Sequence, residues 1–399
     1  MRSRSFIIGH IICLTHLLWA CTTFEKPVTT FNEQIRERAL TKESSGVRVS
    51  AAVVGTEEAR AIFGIDLLQN NIQAVWLEIE NNTNRTLILL PTSLDPDYFA
   101  PLEVAYAYHK TYASDVNAAI DEHLQTLNFP IRSPISPGSS LAGYVFTNRT
   151  KGMKVIDVDL LGRNFSQDFT FFAPDPDTEE GQRILPRMKT MFSAQELKPV
   201  ESEAALRQAL EHLPCCVSDE DGKPTGEPLN VVIIGEMDDW ISGFVRRGYQ
   251  YQPLNPRYVF GRPQDISGQK LSRRYTRSQK HFIRIWKTSI LYDDKPVWIA
   301  QTNTRLGERF ADKTSAEVTT PLDPYVDHTR DDLTQDLAYS QALIKIGYIK
   351  NSGRLKPTQT EGSVHYITDG LRVVLVFAQR PTALADIDFF DWERLADYH

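Results

Sequence analysis

The stretch Leu229-Asn-Val-Val-Ile-Ile-Gly235, followed by Glu236-Met-Asp-Asp-Trp-Ile-Ser-Gly-Phe-Val-Arg-Arg247, decides the fold class of the second half of the chain. A continuous apolar run ending at glycine is the pattern of a strand covered on both faces. The segment from Asp238 to Tyr249 then reads as a helix, so the two form a βα unit. Glu236, Asp238 and Asp239 crowd the first turn. They suit the helix dipole but would repel an anion, so no phosphate site is expected there.

Working outward, Glu203 to Leu213 is amphipathic, with Leu206, Leu210 and Leu213 on one face. Strands are expected at Arg257–Phe260, His281–Leu291 and Lys295–Gln301, the last two joined through Asp293-Asp294 as a hairpin. A helix from Pro324 to about Ile346 follows, and then a final hairpin, Gly362–Thr368 and Leu371–Ala378, turning at Asp369-Gly370. Together these predict an α+β unit over residues 201–380, with a tail over 381–399.

The first half carries a different period. Val47, Val49, Ala51 and Val53 alternate with polar or small residues, and Val75, Leu77 and Ile79 repeat the pattern. Asn81-Asn-Thr-Asn84 supplies turn chemistry before Leu87-Ile-Leu-Leu90, which predicts a hairpin with the preceding strand. Further strands fall at Leu141–Phe146, Lys154–Leu160 and Asp168–Phe172, with helices at Thr56–Phe63 and Asp115–Leu127. The pattern predicts an all-β immunoglobulin-like sandwich with helical insertions over residues 46–173. Residues 174–200 read as a connector with a helix of its own.

The N-terminus sets an address. Arg2 and Arg4 precede an uncharged, mostly apolar run to Trp19 that is too short and too interrupted to span a bilayer. Leu18-Trp-Ala-Cys21 resembles a bacterial lipobox, so residues 1–20 are expected to leave as a lipoprotein signal peptide. Cys21 would then carry lipid at the head of a tether over 21–45. Thr22 after the cysteine favours the outer membrane, facing the periplasm. Cys215 and Cys216 are the only pair in the body of the protein. They are expected as buried thiols, with a strained ring between neighbours as the other reading.

A formal net charge of −7, without a basic stripe interleaved with aromatics, argues against nucleic acid. The commonest nucleotide, zinc and acyl-transfer signatures are absent, and no cofactor is named by the sequence.

Five segments resemble the LssY-type C-terminal domain of bacterial envelope proteins: Pro228–Gly235, Arg257–Asp265 with Gln269-Lys270, His281–Trp286, Pro296–Trp298 and Asp323–Asp331. The resemblance implies an envelope compartment and a domain boundary near residue 200. It carries no established catalytic residues. Gln73–Asn81 and Asp95–Glu103 are similar to a β-rich module that accompanies such lipoproteins.

Candidate chemistry gathers in three places. Around Gly261 and Pro263, Arg262 can grip an anion bidentately, with Gln264 and Lys270 beside it. Asp265 there is either a base or the cap of a short helix over Ile266–Lys270. On the next strand, alternation places His281 on one face and Arg284 with Trp286 on the other, the latter two within stacking reach. Asp327 and Asp331 share a helical face one turn apart, a spacing that can hold a divalent cation or simply pair with Arg330. The expected function is a lipid-anchored envelope protein that binds an envelope partner or an anionic ligand. The rival is a metal-dependent phosphoester hydrolase with His281 and Asp265 as acid/base residues.

Overall fold

The computed structural model describes residues 24, 26–27, 32–94, 98–150, 152–178, 190–252, 254–274, 277–305, 322–351, 366–379 and 381–394. Cys21 and the whole expected signal peptide lie outside the described residues.

The chain opens with α1 (Asn32–Arg38), β1 (Leu40–Ser44), β2 (Val47–Val53), α2 (Thr56–Phe63) and β3 (Ile72–Asn81). The expected tether is therefore structured from Asn32 onward, with β1 pairing antiparallel to β2. Next come β4 (Ile88–Leu89), α3 (Pro91–Leu94), α4 (Pro101–Tyr106), α5 (Ser114–Leu127), β5 (Ser139–Asn148), β6 (Met153–Gly162) and β7 (Phe165–Pro174). Two antiparallel sheets result, ordered β1-β2-β3-β5 and β4-β6-β7.

The sheets pack face to face as the alternation requires. Val49, Ala51, Val75, Leu77 and Ile79 from one meet Ile156, Val158, Leu160, Phe169 and Phe171 from the other in one buried cluster. The opposite face of the first sheet is also apolar: Ala52, Ala74, Trp76, Tyr144 and Phe146 pack under α2, α4 and α5. One expectation fails here. Ile88–Leu89 pairs with β6 in the other sheet, so it forms no hairpin with β3. Asn81 Nδ2 donates to the carbonyls of Arg85 (2.7 Å) and Ile135 (2.9 Å), which fixes the crossing between sheets.

The second unit begins with β8 (Lys198–Val200), α6 (Glu203–Glu211), β9 (Cys216–Ser218), β10 (Pro224–Pro228), β11 (Val231–Ile234) and α7 (Met237–Arg246). It continues through β12 (Tyr249–Tyr251), β13 (Tyr258–Val259), β14 (Arg262–Pro263), β15 (Ile266–Arg274), β16 (Arg277–Tyr292) and β17 (Lys295–Arg305). It closes with α8 (Val326–Tyr339), β18 (Leu343–Lys350), β19 (Leu371–Phe377) and β20 (Asp388–Phe389). A mixed sheet ordered β12-β15-β16-β17-β11-β19-β18-β20 forms its spine, with β8 added beside β16.

β11 lies inside this sheet, antiparallel to β17 and parallel to β19, with every residue fully buried. α7 and α8 cover one face and α6 the other. The tail from residue 381 belongs to this unit, because β20 pairs with β18 and Phe390 is buried.

Several local expectations are corrected by pairing. Ile266–Lys270 is strand, not helix, since β15 finds a ladder on β16 that outweighs a local turn. The last helix stops at Tyr339, and Leu343 onward is strand against β19. Residues 362–365 of the expected final hairpin lie outside the described residues, and Ile367 bridges Tyr325 instead of β19. Most of the connector helix also falls outside them. Cys215 and Cys216 form a disulfide, so the thiol expectation is overturned.

Candidate functional site

The stretch Tyr258–Asp265 builds a tied turn. Phe260 and Gly261 form the two-residue loop between β13 and β14, both at positive φ (58° and 72°). Arg262 donates through Nη1 to Asp265 Oδ1 at 2.5 Å and through Nη2 to the carbonyl of Lys287. Asp265 also accepts from the Lys287 backbone at 2.7 Å. Gln264 accepts from the Arg257 backbone at 2.8 Å and donates to Leu254 O at 3.0 Å. These groups splice the turn onto β16. The Lys270 side chain lies outside the described residues.

The residues of β16 separate as alternation requires. His281 Nδ1 lies 2.8 Å from Thr304 Oγ1, which lies 2.7 Å from Thr329 Oγ1 on α8. On the opposite face Arg284 Nη1 donates to Gln301 Oε1 at 2.9 Å, and Gln301 Nε2 donates to Glu227 Oε2 at 2.5 Å. Burial pulls the Arg284 guanidinium down to about 10, against the favourable field of Glu227. The expected stacking of Arg284 on Trp286 is not formed. Arg284 sits over the Phe282 ring at 4.8 Å, and the Trp286 indole donates to Arg262 O at 3.3 Å.

Asp327 and Asp331 are organised by Arg330. Its buried guanidinium donates to Asp327 (3.2 Å), Asp331 (2.9 Å), both oxygens of Asp369 (2.8 and 3.0 Å) and Leu371 O (3.0 Å). Burial alone would lower the arginine, but its carboxylate partners outweigh that and raise it. Asp327 also accepts from Thr368 Oγ1 (2.9 Å) and Asp369 N (2.6 Å), which leaves little room for a cation. Among the described residues no group of three or more metal-ligating side chains is suited to a metal ion. The catalytic and metal candidates thus sit in separate local networks, each with its own partners.

A different feature draws polar and apolar groups together. A cavity of about 560 Å3 opens between the outer face of β6 and β7 and the second unit. The same alternation that sends Ile156 and Val158 inward turns Met153, Val155, Asp157 and Asp159 toward this space. Trp240, Phe244 and Val245 of α7, Tyr249 and Tyr251 of β12, and Ile283 and Ile285 of β16 form the far wall. None of the described candidate site residues, from Arg262 to Asp331, lines it.

Several polar groups line this space, some of them buried, and Gln250 is exposed at its rim. Trp240 is 2% exposed, and among the described residues neither its Nε1–H nor Arg149 Nε has an acceptor. Lys154, 1% exposed, donates to Asn148 O at 2.9 Å. Burial pushes Asp157 up to about 6, opposed by Arg246 and by the Thr170 hydroxyl that donates to it at 2.6 Å. Burial raises Asp159 as well.

Among the described residues two ion pairs bridge the units, Arg246–Asp157 at 3.4 Å on the cavity wall and Lys42–Asp238. Gly152, at φ +84°, is packed under the Tyr251 ring, where an added Cβ would meet Cε1 at 2.9 Å. The sequence signal for this site was the Asp157-x-Asp159 alternation. It reads as a solvent face unless the covering helix, some eighty residues later, is known.

The LssY C-terminus family model matches residues 241–371. The second unit therefore contains an LssY-type C-terminal domain. The match takes in the tied turn, β15 to β17 and the Arg330 network, but not the Pro228–Gly235 segment. No curated protein matches the chain.

Proposed function

We propose that this chain is a lipid-anchored bacterial envelope protein that holds a small, predominantly apolar molecule in the cavity between its two units. The observation that carries this reading is the pairing of an aromatic and aliphatic wall with unpaired, buried N–H donors at Trp240 and Arg149. Binding pockets have this character: mostly apolar, roughly 300–1,000 Å3, often between domains, with a few oriented polar groups. An unsatisfied buried donor costs about 1–3 kcal/mol, which a ligand carbonyl or ether oxygen would recover.

In this reading the signal peptide is removed, Cys21 carries the acyl chains, and the protein faces the periplasm from the outer membrane. Among the described residues no helix is long and apolar enough to cross a membrane. The first unit is then an immunoglobulin-like sandwich whose outer face supplies one wall of the pocket.

The test is mass spectrometry of organic extracts from protein purified out of bacterial membranes, together with titration by the apolar dye N-phenylnaphthylamine. Saturable dye binding that Val155→Trp reduces at least tenfold is expected, as the larger ring fills the cavity. Equal dye binding by both proteins, with no co-purifying molecule, would remove the proposal.

A further inference from the structure

We infer that the face formed by α4 and the adjoining end of α5 lies against the bilayer that holds the lipid anchor. The inference rests on acylation of Cys21.

Phe24 is packed against the helical cluster over the first sheet, its ring 6.0 Å from that of His123 on α5. Lys26 pairs with Glu122 of the same helix at 3.6 Å. Two residues, Thr22 and Thr23, separate Phe24 from Cys21, and the three steps between them span at most about 11 Å in a fully extended chain. A lipid at residue 21 would consequently be held within that reach of Phe24 and so close to α5. Whatever surface adjoins α5 must sit near the headgroups.

That surface carries two exposed apolar side chains. Leu102 and Tyr106, one turn apart on α4, are 51% and 71% exposed. Tyr106 is the most exposed of the large apolar side chains among the described residues, and its ring meets His109 edge-on at 5.3 Å. Tyrosine suits a bilayer interface, where one end of the ring is apolar and the other wet. Exposed Glu103 and Asp115 accompany exposed Lys110, so the local charge is mixed. Adhesion is therefore apolar in origin and should be little affected by salt.

The experiment uses the acylated full chain in vesicles of phosphatidylethanolamine and phosphatidylglycerol containing brominated acyl chains. The variants Tyr106→Trp and Tyr339→Trp are compared, since Tyr339 is comparably exposed on the second unit. Bromine should quench the Tyr106→Trp increment at least threefold more than the Tyr339→Trp increment, at low and at high salt. Equal quenching at both positions on vesicle-bound, acylated protein would overturn the inference while leaving the anchor intact. Mass spectrometry showing unmodified Cys21 would overturn both.

Discussion

Asp157 Oδ2 on β6 lies 3.4 Å from Arg246 Nε on α7, a pair that crosses between the two units at the edge of the cavity. The aspartate is nearly fully buried and the arginine partly exposed, so the attraction does not fully offset the desolvation of the acid.

That imbalance predicts a pH signature. The Asp157 carboxyl is raised from 3.8 to about 6, so the folded state binds the proton more tightly than the unfolded chain. Its contribution is fully present below about pH 4 and is lost as pH rises through about 6, a loss of about 2–3 kcal/mol. Asp157→Asn should flatten this part of the profile, with the variant gaining relative to the native protein from pH 4 to pH 8. Urea denaturation in steps of pH measures it, and parallel profiles would remove the argument.

Arg330 should behave as a keystone of the second unit. Replacing it by Met leaves Asp327 and Asp369 facing each other without a cation, a change expected to cost about 3–5 kcal/mol. Asp331, partly open to solvent, is expected to cost under about 1 kcal/mol when changed to Asn. Denaturant midpoints of the two variants should differ accordingly.

Divalent cations give a complementary check on the same network. With Asp327 already accepting from Thr368, Asp369 N and Arg330, millimolar manganese or magnesium should leave the melting temperature unchanged. A rise that disappears in Asp327→Asn would favour the hydrolase reading.

Among the described residues no carboxylate pairs with the buried Arg372, and burial lowers it to about 9. Its guanidinium donates instead to Leu229 O (2.8 Å), Leu210 O (3.1 Å) and the carbonyls that follow α6, where the helix dipole is negative. Arg372→Leu should destabilise by about 3 kcal/mol, because several carbonyls lose their donor together. Amide exchange should accelerate first in Leu210–Pro214.

Phe260 stands at φ +58° and is 47% exposed, a conformation that glycine adopts without steric cost. Phe260→Gly should leave the fold intact and stabilise by up to about 1 kcal/mol. Thermal melts of the two proteins decide it.

Much of the architecture was legible in the residues. Val47–Val53, Ile72–Asn81 and Met153–Gly162 alternate because each strand divides its side chains between two packed faces. Val231–Ile234 does not alternate because both of its faces are covered. The hairpin at Asp293-Asp294 announced itself through turn chemistry, and both residues take positive φ.

The misreadings share a physical cause. Ile266–Lys270 and Leu343–Lys350 take their form from partners distant in the chain, which no local pattern reports. The cavity was invisible for the same reason. Asp157 and Asp159 look like residues meant for water until Trp240 and Arg246 are laid over them. Arg262 is paired with Asp265 and Asp327 with Arg330, each within its own local network.

Gly152 gives the seam between the units its thinness. With a hydrogen where other residues carry carbon, the loop slides beneath the Tyr251 ring, and even a methyl group there would act as a shim. A single alanine at that position would therefore strain the loop backbone and push the Tyr251 ring off its seat, loosening one corner of the joint without touching either core.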